Sequence, residues 1–194
     1  MDSAFSLDLN KRYTYADYLT WVDDKRRELV DGFIKPMSTP PPFHQEINFK
    51  LGIALDKIIK QHKSKYKAYI APFDVRLPKN GKKADDKIDT VVQPDLCIVC
   101  DLSKIDDRGC LGAPDFVAEI LSLPTVYCDL TKKVDLYEAA GVREYWVVFP
   151  EGGLNIFVLQ PDGKYCDVMA YYKDQKAPIH IFDGVEINLA EVFD

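Results

Sequence analysis

Three carboxylates stand where an ordinary core strand would not put them. Asp95 follows Pro94 at the start of a very apolar run, Glu119 interrupts Phe116-Val117-Ala118-Glu119-Ile120-Leu121, and Glu28 begins a segment that reads as a hairpin strand. A buried carboxylate without a partner costs several kcal/mol, so each must face water, a cation or a metal. Any one of them alone is read as solvent-facing or salt-bridged. Two apolar strands, each with one inward-capable acid, point instead to a hard-metal site. Mg2+ suits such a site, because it binds through one or two carboxylates, waters and substrate phosphate rather than a complete protein cage. His44 follows Pro40-Pro41-Pro42-Phe43 at a predicted helix start. Its imidazole could accept a proton or contact phosphate there, or simply begin the helix. His62 and His180 have no convergent partners in the sequence and read as structural.

The cysteines offer a weaker metal signal. Cys97 and Cys100 have CxxC spacing, but they lie in what reads as a buried strand, where side chains alternate and the two thiols face opposite ways. A zinc knuckle needs a second pair, and no further CxxC or HxxxH is present. Small buried cysteines are the preferred reading. Five cysteines form an odd set, and with no secretion signal reduced thiols are expected.

Positioning such groups requires a real core, and 194 residues with 47% hydrophobic and 29% charged side chains supply one. The length suits a single domain over 1–194. No run approaches the ~18 apolar residues of a membrane span, and the first residues lack a basic and then apolar leader, so a cytoplasmic, membrane-free protein is expected. The net charge of −6 argues against indiscriminate adhesion to nucleic acid. It does not exclude a nuclease, whose metal centre is itself built from carboxylates.

The elements follow from pattern. Thr14-Tyr15-Ala16-Asp17 opens a short helix over 14–23 in the manner of a capping box. Strands over 27–30 and 33–37 flank Asp31-Gly32, a strong hairpin turn signal. Ile47, Leu51, Ala54, Leu55, Ile58 and Ile59 recur at helical spacing, predicting a helix over 44–62. Strands over 68–77, 91–100 and 116–121 are separated by polar loops at 79–87 and 101–113. A helix over 130–140 closes at Gly141, and strands over 144–149, 154–160 and 165–172 follow. The series predicts an α/β domain around a mixed sheet. The lysines at 57, 60, 63, 65 and 67, with those at 79, 82, 83 and 87, are read as a solvated face rather than a DNA-facing rim. Trp21, Trp146 and the tyrosines are read as core.

The ordered series Glu28-Leu29-Val30-Asp31-Gly32, Gln93-Pro94-Asp95-Leu96, Val117-Ala118-Glu119-Ile120-Leu121-Ser122 and Gly141-Val142-Arg143-Glu144-Tyr145-Trp146 resembles the PD-(D/E)XK nuclease superfamily. More closely, it resembles the Uma-type family of putative restriction endonucleases, formerly a domain of unknown function and common in cyanobacteria. The resemblance covers most of the chain. It implies a restriction endonuclease-like core of mixed sheet flanked by helices, with an added N-terminal helix and hairpin and C-terminal antiparallel strands. It also implies divalent-metal binding, Mg2+ or Mn2+, and phosphodiester hydrolysis on a DNA substrate by a homodimer. Asp95, Glu119 and the Ile120 carbonyl would hold the metal, Glu28 would be an auxiliary acid, and His44 would face the same cleft.

One position departs from the superfamily. Its lysine lies two residues beyond the Glu, where this chain has Leu121. A replacement from the next helix is expected, and geometry selects it. At roughly 100° per residue, Lys133 lies about 60° from the stripe of Leu130, Val134 and Tyr137, whereas Lys132 lies about 160° away. Asp129 and Lys133 are one turn apart and could pair, which would make them an ordinary surface pair instead. Two further classes remain: a catalytically inactive nuclease fold acting as a nucleic-acid-binding or assembly module, and a zinc-stabilised protein using Cys97 and Cys100.

Overall fold

The computed structural model describes residues 7–122 and 131–194. Thr14 caps a one-turn helix α1 (Tyr15–Tyr18), exchanging bonds with Asp17 in a capping box. The helix is shorter than the expected 14–23: its turn closes at Leu19, and Val22 is 97% exposed, so nothing buries a second turn. Strands β1 (Arg27–Val30) and β2 (Phe33–Pro36) pair across Asp31 and Gly32, both at positive φ, as a two-residue hairpin turn requires. Helix α2 (Pro42–Gln61) starts with proline at its first positions, where a missing N–H costs nothing.

The strands expected over 68–77 and 91–100 are each divided. β3 (Lys67–Ile70) and β6 (Leu96–Val99) join one sheet, while β4 (Val75–Arg76) and β5 (Val91–Val92) join another. Pro72 and Pro94 fall at the two breaks, and a residue without an N–H cannot continue a central ladder. The polar loop at 101–113 contains its own hairpin, β7 (Ile105–Asp106) with β8 (Gly109–Leu111). β9 (Phe116–Ile120), helix α3 (Lys133–Ala140) and β10 (Glu144–Phe149) form a parallel crossover. Gly141, at φ 83°, ends α3 as expected. β11 (Gly153–Val158) and β12 (Met169–Tyr172) extend the sheet antiparallel. The last of these is shorter than 165–172, because Tyr165 contributes only a bridge to Leu159. β13 (Lys176–Pro178), β14 (Glu186–Asn188) and α4 (Ala190–Phe193) complete the chain.

One mixed sheet was expected; the described residues form two six-stranded mixed sheets and a small antiparallel pair, β13 with β14. The first runs β2-β1-β5-β4-β8-β7 and the second β12-β11-β10-β9-β6-β3. On the second sheet, alternation sends Leu96, Ile98, Phe116, Ala118 and Ile120 toward α2 and the C-terminal segment. It sends Cys97, Val99, Val117 and Val147 toward α3 and the first sheet. Cys97 is thus sealed inside, whereas Cys100 lies beside Tyr66 on the other side, as strand parity requires. Burial pushes the Cys100 thiol up to about 12, reinforced by the neighbouring Asp115 carboxylate. No helix among the described residues is long and apolar enough to cross a membrane.

The core holds one acid outside any candidate site. Glu144, fully buried, accepts Trp146 Nε1–H at 2.7 Å and the Ile181 N–H at 2.9 Å, tying β10 to the C-terminal segment. Burial raises its pKa to about 7, the N–H donors Trp146 Nε1, His180 and Ile181 opposing but not cancelling the effect. The folded state therefore keeps a proton that the unfolded chain releases near the ordinary Glu value. Stability from this group is full below that value and falls as pH rises to about 7, by roughly 3 kcal/mol in all. Thermal melts of wild type and Glu144→Gln should therefore diverge with pH, the variant gaining relative stability between pH 5 and pH 8. A parallel pH dependence of the two proteins would contradict this.

Candidate active site

Strand register brings the two principal acids together. Leu96 pairs with Ala118 in the antiparallel β6–β9 ladder, so continuing the ladder by one residue sets Asp95 opposite Glu119. Directly opposed residues have Cβ atoms about 5 Å apart. Two contacts hold the Asp95 carboxylate: its Oδ2 accepts the Ile120 N–H at 2.8 Å and meets His44 Nε2 at 3.0 Å. Its main-chain carbonyl accepts Asn48 Nδ2–H and the Ala71 N–H, each at 3.1 Å. Among the described residues, both carboxylate bonds fall on Oδ2 and none on Oδ1.

His44 and Asn48 sit four residues apart at the start of α2, which places both on one helix face above Asp95. Among the described residues, His44 Nδ1 and Asn48 Oδ1 are buried without hydrogen-bond partners. His44 is set beside the Asp95 carboxylate.

Glu119 is met from α3. Lys133 Nζ donates to its Oε1 at 2.8 Å and the Tyr137 hydroxyl donates to the same oxygen at 2.7 Å. The two donors are one turn apart, so a single helix face delivers both. Lys133 Nζ also lies 3.6 Å from Glu28 Oε1, which accepts the Gln93 N–H at 2.9 Å. Lys133 is 8% exposed and Lys132 is exposed, as the helical angles predict. Leu121, where the superfamily carries lysine, is packed in the apolar cluster beneath α3. The proposed partner Asp129 and the stripe residue Leu130 lie outside the described residues. Burial, then the charges of Glu119 and Glu28, push the Tyr137 hydroxyl well above the ordinary tyrosine range, so it remains a donor.

The donor set fits a hard divalent ion in a limited way. Asp95 and Glu119 stand at opposed positions of neighbouring strands, the Asp95 carboxylate engaged from α2 and the Glu119 carboxylate from α3, and among the described residues Asp95 Oδ1 has no hydrogen bond. Among the described residues, no three His, Cys, Asp or Glu side chains gather as a metal-binding group. Glu28 and His44 therefore do not join the two acids in a closed cage. Two carboxylates with a carbonyl, completed by water and phosphate, is the pattern Mg2+ favours.

Sequence reasoning passed over three supporting residues. Tyr137 was assigned to the apolar stripe, Asn48 went unremarked, and Gln93 carried no role of its own. Polar tips on otherwise apolar helix faces and the residue before Pro94 were the available signals. The surface lysines follow the bland reading where they pair: Lys60 with Asp56, Lys87 with Asp86, and Lys79 with Asp31 and Asp89. His62 packs its ring against Phe182, consistent with a structural place.

No curated protein matches the sequence. A crystal structure described as a putative nuclease belonging to DUF820, from Anabaena variabilis ATCC 29413, is similar with a TM-score of 0.73 and 18% identity. The match covers 93% of this chain and 97% of that one, and at such identity it is a likeness of fold. The model of the Uma2 family, described as putative restriction endonuclease, matches residues 15–190, and the chain belongs to that family of nucleases.

Proposed function

We propose that this protein is a metal-dependent endonuclease that hydrolyses phosphodiester bonds of DNA. The observation that carries the reading is the Lys133 ammonium, brought by α3 to within 2.8 Å of Glu119 and 3.6 Å of Glu28. It replaces, from a neighbouring helix, the lysine that Leu121 displaces from the strand.

Asp95, Glu119 and the Ile120 carbonyl would hold Mg2+ or Mn2+, which supplies water activation and charge neutralisation at the phosphate. Lys133 orients the attacking water and adds positive charge where the phosphoryl oxygens gain negative charge. Glu28, fixed by the Gln93 N–H, anchors Lys133 and offers an acceptor to that water. His44 and the Ile120 N–H set the rotamer of Asp95. The water oxygen bonds to phosphorus as the bond to the leaving sugar oxygen breaks. Cutting both strands of a duplex needs two such centres, which a homodimer would provide.

A second reading is a nuclease fold retained as a non-catalytic binding module, favoured by Leu121 in the usual lysine position. Plasmid DNA incubated with the purified protein in Mg2+, in EDTA, and with Asp95→Asn separates the two. Cleavage confined to wild type with Mg2+ supports the enzyme. Equal cleavage by wild type and variant, or none, removes it.

A further inference from the structure

Four arginines in the described structure have carboxylate partners: Arg27 with Asp23, Arg76 with Asp106, Arg108 with Asp85 and Arg143 with Asp115. Arg12 lies over the ring of Phe33. Arg26 differs. Among the described residues its guanidinium is held only by a neutral oxygen, Gln93 Oε1, through Nε at 3.2 Å and Nη2 at 2.9 Å. The far end of the same amide is fixed in turn, Gln93 Nε2 donating to Asp74 Oδ1 at 2.8 Å and to the Tyr18 hydroxyl at 3.3 Å. Gln93 is itself buried. The protein thus orients a cation firmly without neutralising it.

The location gives that cation a purpose. The Met37 N–H donates to the Arg26 carbonyl, which extends the β1–β2 ladder one residue beyond Arg27. Arg26 and Glu28 are then two residues apart on one extended strand, so their side chains share a face about 7 Å apart. Gln93 touches both, its N–H on Glu28 and its side-chain carbonyl on Arg26. The guanidinium therefore stands one strand period from the Lys133–Glu28–Glu119 centre, and among the described residues the N–H groups of Nη1 are uncommitted. Arginine's planar fork is the side chain best matched to phosphate.

We infer that Arg26, aligned by Gln93, binds a backbone phosphate of the nucleic acid next to the one being cleaved. This rests on the nuclease reading for the position of the scissile phosphate, but makes a separate claim about binding. The contact carries no base information, so it contributes affinity and register rather than sequence choice.

The test uses full-length Asp95→Asn protein with Mg2+ and a fluorescein-labelled DNA duplex, followed by fluorescence anisotropy between about 50 and 200 mM salt. Adding Arg26→Ala should weaken binding about tenfold or more and lower the slope of log K against log salt by about one. Arg26→Lys should restore the slope, since it returns the charge, while recovering only part of the affinity because the fork is lost. Weaker binding with an unchanged slope would mean a merely structural arginine and would overturn the inference, as would unchanged affinity or no DNA binding by the parent. Failure of the nuclease reading looks different: Arg26-dependent binding by a protein whose wild type never cuts DNA would retain the phosphate site and remove the enzyme.

Discussion

Replacing Lys133 with methionine is expected to lower Mg2+-dependent DNA cleavage by about 10²–10³-fold, the range for losing one preorganised electrostatic donor. The same change should cost about 3 kcal/mol of stability. Methionine keeps most of the apolar stem, so the loss isolates the ammonium. Two carboxylates from different strands, Glu119 and Glu28, would then be left buried without their shared cation. Glu119 would keep the Tyr137 hydroxyl, and Glu28 the Gln93 N–H. For a chain of this length, each kcal/mol moves the melting temperature by about 2–4 °C, so a drop of about 6–12 °C should appear in calorimetry. Adding Glu119→Gln removes the stranded charge and should recover much of the melting temperature without recovering cleavage. A Lys133→Met protein that cuts DNA as wild type does would reduce this lysine to a structural counter-ion.

Asp95→Asn should abolish detectable cleavage, a loss beyond about 10³-fold, while melting within a few degrees of wild type. Asparagine preserves the shape, and its oxygen can still accept the Ile120 N–H that Asp95 Oδ2 accepts at 2.8 Å. What disappears is the negative charge at the position opposed to Glu119 in the ladder. Titration calorimetry with Mn2+ reads this without any turnover. Affinity should fall by more than about 100-fold, the upper end for residues that only support a metal ligand. Equal Mn2+ affinity in the two proteins would place the metal, and with it the chemistry, elsewhere.

Much of this centre was legible along the chain because each part has a local signature. An acid inside an apolar strand, as at Glu119, conflicts with burial unless something compensates it. Helical angles alone separated Lys133 from Lys132, since a rigid 3.6-residue repeat decides which side chain turns inward. The Asp31-Gly32 turn and the Gly141 cap were readable for the same reason: both need positive φ, which few residues adopt at low cost.

The partitioning into sheets was not readable. The runs 68–77 and 91–100 are mostly apolar, and hydrophobic pattern cannot tell one ten-residue strand from two short strands that change sheets. Pro72 and Pro94 marked the breaks, but not the destinations of the pieces. The C-terminal segments β13, β14 and α4 were equally obscure, because each is too short to display a period.

The chain by itself determined which residues carry charge into apolar surroundings, and which helix face Lys133 occupies. Only the tertiary structure decided the partners. Ladder register set Asp95 against Glu119, packing of α3 over the second sheet delivered Lys133 and Tyr137 to one carboxylate oxygen, and the sheet switch at Gln93 joined Glu28 to Arg26. The reason is physical: periodicity is a property of neighbours along the backbone, whereas pairing between strands more than twenty residues apart depends on which apolar faces find each other in the folded core.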